Sequence, residues 1–268
     1  EISSTLVDAE IQAGDEALEE DCPIVLVIDD NADIRHYVKS LLVKEFRVLD
    51  AADGATGIRL AMKYVPDVIV SDVMMPGMDG IECCRRLKGE LQTCHIPVII
   101  LSAKTDIKDQ MEGLQMGADD YIPKPFSLAI LTTKIQNMMR TRRHMLERYS
   151  KSLEVEPEKI TFNAMDEALL KRAVAIVEKN MDNIEFSTDE FAREMNMSRS
   201  NFSRKIKALS GMPPHDYIKN FRLNKSTELI MSGIRIAEVA EQLGFTTSSY
   251  FAKCFKEKFG VLPKDYKG

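Results

Sequence analysis

The stretch Val68-Ile-Val-Ser-Asp-Val-Met-Met-Pro-Gly-Met-Asp-Gly80 decides the fold. The run Asp67 to Ser71 is short, β-branched and bounded by turn residues, so it reads as a buried strand. It ends on one carboxylate, Asp72. Pro76, Gly77 and Gly80 then force a loop and release a helix. A lone aspartate at the carboxyl end of a central parallel strand stands where open α/β sheets bind ligands. A loop cap is the plain alternative for Asp72, and three other stretches weigh on the choice.

The first is Ile24-Val-Leu-Val-Ile-Asp-Asp-Asn31, an apolar strand ending in the pair Asp29 and Asp30. The second, Pro97-Val-Ile-Ile-Leu-Ser102, ends in a hydroxyl. The third, Tyr121-Ile-Pro-Lys-Pro-Phe126, ends in Lys124 before a proline. Parallel strands set all their carboxyl ends on one sheet edge, so three carboxylates, a hydroxyl and an ammonium converge. Clustered carboxylates resist ionising unless a cation joins them. A hard cation with oxygen ligands suits Mg2+. A metal and a lysine both stabilise phosphoryl oxygens as charge develops. Ser102 can donate to the same oxygens, and Ala103 is small enough to leave them room. Asp72 therefore reads as a phosphoryl acceptor.

Residues Ile24 to about Arg140 resemble a response-regulator receiver domain of two-component signalling. The resemblance is carried by Asp29-Asp30, Asp72-Val-Met-Met-Pro-Gly-Met-Asp-Gly80, Ser102-Ala103 and Lys124-Pro125. Thirty positions separate Asp72 from Ser102, and twenty-two separate Ser102 from Lys124. The resemblance implies Mg2+ held by Asp30, Asp72 and the Met74 backbone carbonyl, with Asp29 acting mainly through water. It implies a cis Lys124–Pro125 peptide, and a switch in which Tyr121 turns inward as Ser102 moves toward the phosphoryl group.

A length of 268 residues suits one or two domains, and 44% apolar residues suffice for real cores. No window approaches the apolar length of a membrane span. Five scattered cysteines, at 22, 83, 84, 94 and 254, without CxxC spacing read as reduced thiols of a cytoplasmic protein. The net charge of −6 hides an asymmetry. Residues 1–22 carry eight acids and no base, and read as an acidic linker. From Ser187 onward fourteen Lys and Arg face nine acids, an excess of five that makes this end a candidate for a polyanion.

Across 23–140 strands and helices alternate: strand 24–29, helix Ala32–Lys44, strand Phe46–Ala51, helix Gly54–Tyr64, strand Asp67–Ser71 and helix Asp79–Lys88. Strand 97–102, helix Ile107–Met116, strand 120–123 and helix Ser127–Arg140 complete the series. Such alternation implies a five-stranded, doubly wound, flavodoxin-like parallel sheet between helices. The last helix lacks Gly or Pro beyond Arg140 and either runs on or frays. Residues 141–164 form this helical extension and a linker, with Pro157 in it.

From 165 to 268 the pattern is wholly helical. Leu169, Leu170, Ala173, Ile176 and Val177 share a face of a helix at Met165–Met181. Two similar units follow, at Ser187–Lys207 and Arg235–Lys256. Each has a short helix with a buried alanine (Ala192, Ala240), a tight turn at Asn196 or Gly244, and a hydroxyl cap (Ser198, Thr247) opening a second helix. That is the helix-turn-helix layout, with Pro213–Ser232 as the helix between. This region resembles an AraC-type DNA-binding domain on Ile236-Ala-Glu-Val-Ala240, Leu243-Gly-Phe245, Tyr250-Phe251, Phe255-Lys256 and Phe259-Gly-Val-Leu-Pro263. The resemblance implies seven helices and two recognition helices in successive major grooves. Ser200, Asn201, Ser203 and Arg204 on the first, and Ser248, Ser249 and Lys253 on the second, should face outward to DNA. Lys205, Lys207, Lys256 and Lys258 read as phosphate contacts or solvated cations.

The leading reading is a non-enzymatic transcriptional regulator. A histidine kinase would donate a phosphoryl group to Asp72. The face of helix 107–116, the last strand and the following helix would change, and two chains would pair on double-stranded DNA. The opening on Glu1 and the acidic head also suit the C-terminal part of a hybrid sensor, whose parent would be membrane-tethered although this segment makes no membrane contact. A covalent Mg2+-dependent phosphatase using Asp72 would need a nearby general acid, and Met74 stands two positions on with no second acid close behind. A receiver carrying a helical protein-binding tail is the remaining alternative.

Overall fold

The computed structural model describes residues 22–103, 117–151 and 163–267. The expected acidic linker at 1–22, apart from Cys22, the helix Ile107–Met116 and the linker around Pro157 lie outside the described residues. The chain divides into two compact units, Glu1–Thr141 and Arg142–Gly268. Among the described residues no helix is long and apolar enough to cross a membrane.

In the first unit, β1 (Ile24–Ile28), β2 (Arg47–Ala51), β3 (Val68–Asp72), β4 (Val98–Ser102) and β5 (Asp120–Pro123) form one parallel sheet in the order β2-β1-β3-β4-β5. The helices α1 (Ala32–Leu42), α2 (Gly54–Tyr64), α3 (Gly80–Gly89) and α4 (Leu128–Lys151) pack on it. Strand side chains alternate faces with period two. Val25, Val27, Val70 and Leu101 therefore join Val38 of α1 and Ile135 of α4. Leu26, Ile28, Ile69 and Ile100 join Cys83 and Leu87 of α3 on the other side. Both sheet faces are dry, which is why the strands read as unbroken apolar runs.

Asn31, Asp53 and Asp79 cap α1, α2 and α3 through side-chain oxygens that accept first-turn N–H groups. The expected strand Asp67–Ser71 is displaced by one residue. Asp67 bonds Ile24 through its side chain, which accepts the Ile24 N–H at 2.8 Å, and through its own N–H, which donates to the Ile24 carbonyl at 2.8 Å. The paired residues begin at Val68, opposite Val25, and end at Asp72, opposite Leu101. The helix α1 stops at Leu42, short of Lys44, and α4 continues past Arg140 to Lys151.

The second unit contains α5 (Ala164–Lys179), α6 (Thr188–Glu194), α7 (Arg199–Ser210), α8 (Pro214–Met231), α9 (Ile236–Gln242), α10 (Ser248–Phe259) and a short 3-10 helix, Pro263–Asp265. Leu170 of α5, Phe191 of α6, Phe202 and Ile206 of α7 and Tyr217 of α8 share one hydrophobic cluster. Leu223 of α8, Val239 of α9 and Phe251 and Phe255 of α10 share another. The helix α8 supplies both.

Candidate phosphoacceptor site and nucleic-acid interface

The chain leaves β1 toward β2 on one side and reaches β3 on the other. The strand order therefore reverses between β1 and β3, where open α/β sheets bind ligands. Asp29 follows β1 and Asp72 ends β3 at that point. Asp29 and Asp72 are buried and Asp30 is exposed, and one carboxylate oxygen from each lies within 4.8 Å of the others. Lys124, after β5, reaches across: its Nζ lies 2.9 Å from Asp72 Oδ1 and 3.1 Å from Asp29 Oδ2. The Lys124–Pro125 peptide is cis.

Burial pushes the Asp72 carboxyl above its ordinary value, outweighing the opposing hydrogen bond and charge of Lys124. Burial pulls the Lys124 ammonium down, but its bonds to Asp72 and Asp29 win and hold it above its ordinary value. Three carboxylates against one ammonium leave the cluster short of positive charge. A hard divalent cation fits such a donor set.

Ser102 is fully buried at the end of β4, and its carbonyl accepts the Lys124 N–H at 2.6 Å. Ala103 beside it is exposed. Met74 lies in the exposed loop after Asp72. The loop closes through the Gly80 N–H, which donates to the Val73 carbonyl at 2.9 Å. A Cβ on Gly80 would sit 1.9 Å from the Asp72 carbonyl oxygen. Tyr121 is half-buried on β5, opposite Ile100.

One residue escaped the sequence reading. Arg35, on α1, donates from Nη1 to the carbonyls of Asp29 at 2.8 Å and Asp30 at 3.1 Å. Its Nε lies 3.5 Å from Asp50 on β2. The backbone carrying two of the three acids is thus held from behind by a guanidinium. The signal was an arginine one helical turn into α1, on the side that faces the acidic pair.

The turns of the two helix pairs repeat the same backbone bonds. In the first, Asn196 is left-handed (φ 59°), and the Asn196 and Met197 N–H groups donate to Arg193 and Ala192. In the second, Gly244 is left-handed (φ 63°), and the Gly244 and Phe245 N–H groups donate to Glu241 and Ala240. The offset is forty-eight positions up to Phe245 and forty-nine after it, because the second turn holds one more residue before its cap. Ser198 and Thr247 then cap α7 and α10, and both helices end on left-handed glycines, Gly211 and Gly260.

Ser200, Ser248, Ser249 and Lys253 are exposed, and Asn201, Ser203 and Arg204 are half-buried. Arg204 donates to Ser200 Oγ at 2.5 Å. Two of the lysines expected at phosphates or in solvent are elsewhere. Lys205 is fully buried and pairs with buried Asp166 of α5 at 2.5 Å. Three residues after Phe202 and four before Leu209, it lies on the inward face of α7. Its counterpart forty-nine positions on is the buried Cys254. Lys258 is half-buried and donates to Asn220 and Asn224 of α8, and burial pushes its ammonium down to about 8.

A family model described as the response regulator receiver domain matches residues 25–136, and one described as a helix-turn-helix domain matches 191–268. The transcriptional regulatory protein AfsQ1 of Streptomyces coelicolor is 32% identical over 208 residues, covering 75% of this chain and 84% of its own length. The chain belongs to the response-regulator family.

Its receiver domain is followed by a helix-turn-helix domain of AraC type. The response regulator is also 36% identical over 244 residues to histidine kinase P4 of Formosa agariphila, which covers 91% of the regulator. The regulator spans only 18% of that kinase's length. The receiver domain of the Francisella response regulator 1452 is 37% identical, covering 44% of the regulator and 98% of that chain, with a TM-score of 0.42.

Proposed function

We propose that the regulator accepts a phosphoryl group on Asp72 from a histidine kinase and converts it into pairing of two chains and sequence-specific binding of double-stranded DNA. The observation that carries this reading is the placement of Asp72. It ends a central strand 2.9 Å from Lys124 and beside two further acids, on a chain that also holds two helix-turn-helix units.

An Asp72 carboxylate oxygen attacks phosphorus, an O–P bond forms, and the P–N bond of the donor's phosphohistidine breaks. Asp29, Asp30, Asp72 and the Met74 carbonyl would hold Mg2+, which supplies positive charge to the transferring phosphoryl oxygens. Lys124 offers the same oxygens a fixed ammonium, and Ser102 offers a hydroxyl. Arg35 keeps the acidic backbone in place. Ser102 and Tyr121 then act as the switch. Ser200, Asn201, Ser203 and Arg204, with Ser248, Ser249 and Lys253, meet base edges and backbone. The segment itself performs no turnover of an external substrate, and its work on DNA is cytoplasmic.

Nearly the whole regulator has its counterpart within histidine kinase P4, which favours a kinase on the same polypeptide over a separate one. Acetyl phosphate with Mg2+ tests the acceptor directly. Wild type should be retarded on a phosphate-affinity gel, and Asp72→Ala should not. EDTA should abolish the retardation. Equal retardation of Asp72→Ala would overturn the reading.

A further inference from the structure

The second unit has two hydrophobic clusters joined through α8. Each recognition helix belongs to one of them: Phe202 and Ile206 of α7 to the first, Phe251 and Phe255 of α10 to the second. A helix shared by two cores leaves them free to rock against each other unless something else crosses the seam.

Arg222 crosses it. It stands in the middle of α8 and is 8% exposed. Its Nη1 donates to the Gly244 carbonyl at 3.0 Å, in the turn of the second helix pair. Its Nη2 donates to the Asn183 carbonyl at 2.7 Å and the Asn180 carbonyl at 3.3 Å, in the segment that leads from α5 into the first pair. The guanidinium is planar and rigid, so these bonds fix a distance and an angle together. Gly244 permits the approach. A Cβ there would lie 2.8 Å from Arg222 Nη2 and 2.9 Å from the Met181 carbonyl.

Among the described residues, two other buried or half-buried polar ties run from one pair to α5 or to α8. Lys205 with Asp166 joins α7 to α5. Lys258 joins α10 to Asn220 and Asn224 of α8. Arg222 joins backbone from both sides of the seam.

We infer that Arg222 sets the separation and relative angle of α7 and α10, and thereby the spacing between the two DNA segments that one chain accepts. It is a positioning residue that touches no DNA. The inference rests on the DNA-binding reading and adds to it a determinant of site geometry.

The test uses the full phosphorylated chain and a duplex selected by wild type from a random-sequence pool, with the segments protected by one chain located by footprinting. Derivatives carry one or two added or deleted base pairs between those segments, or one segment alone. Two rigidly held helices act as linked modules, so wild type should lose about tenfold or more with each change of spacing. Arg222→Met should bind the parent duplex about tenfold more weakly, accept the altered spacings within about threefold of the parent, and bind the single segment like wild type. Arg222→Lys, with charge but no fork, should fall between. If Arg222→Met lacks a cooperative melt, Gly244→Ala, which displaces the guanidinium without removing it, should show the same flattened or shifted spacing profile. A spacing profile unchanged from wild type in the folded variant would overturn the inference, as would a wild-type footprint of a single segment, with DNA binding itself left standing. Recovery of no duplex by wild type would overturn the DNA-binding reading and this inference with it.

Discussion

Gly80 has no side chain because there is no room for one. A methyl group would meet the Asp72 carbonyl at 1.9 Å and force the acceptor strand and its loop apart. Overpacking of this kind costs about 1–3 kcal/mol. Gly80→Ala should lower the unfolding free energy of the receiver unit by that amount in urea melts and slow labelling by acetyl phosphate, and an unchanged stability and rate would count against the close approach. In the second unit, Asp166 and Lys205 are a buried ion pair at 2.5 Å. Removing one partner strands the other, so Asp166→Ala should cost about 3–5 kcal/mol, while Asp166→Leu with Lys205→Met should recover most of it. Denaturant melts of the three chains check both statements. At this scale the acids were legible, because charges that end apolar strands stand out. Lys205 was not, because its charge spoke for solvent while its helical position spoke for the core. The internal repeat held the answer, since the matching position is Cys254.

Elements were legible where chemistry marks their ends. The helix α2 matched its expected span, Gly54–Tyr64, because Asp53 caps it and Val65 with Pro66 ends it. The last strand matched its expected span, 120–123, while each of the other four missed by one residue at one end or both, because a run of apolar residues has little alternation to mark where pairing stops. The extension of α4 to Lys151 was left open, since the absence of Gly and Pro permits a helix without requiring one. The second turn's extra residue was visible only through the bond pattern. Asp53 also gives a pH prediction. Its side chain accepts the Thr56 N–H at 2.8 Å, and this bond, the largest influence on it, holds its carboxyl below the usual 3.8. A carboxylate depressed by folding adds stability above its unfolded value, and that stability is lost as pH falls through the folded one. Asp53→Ala should therefore cost about 1 kcal/mol at pH 7 and progressively less as pH falls below about 3.8, measured by urea melts across pH. A cost independent of pH would show that the cap is not ionic.

For the whole molecule, the family was legible as a resemblance, carried by the identities of five residues in register on four strand ends. The residues that brace each unit were not, because Arg35 in the first and Arg222 in the second bind backbone carbonyls, which carry no mark in the sequence. The central claim is that occupancy of Asp72 governs the basic helical unit. The most direct measurement is DNA binding by fluorescence anisotropy, with and without acetyl phosphate and Mg2+, for wild type and Asp72→Ala on the same selected duplex. Wild type should tighten on phosphorylation and Asp72→Ala should not respond. Equal binding by the two chains under both conditions would contradict the claim.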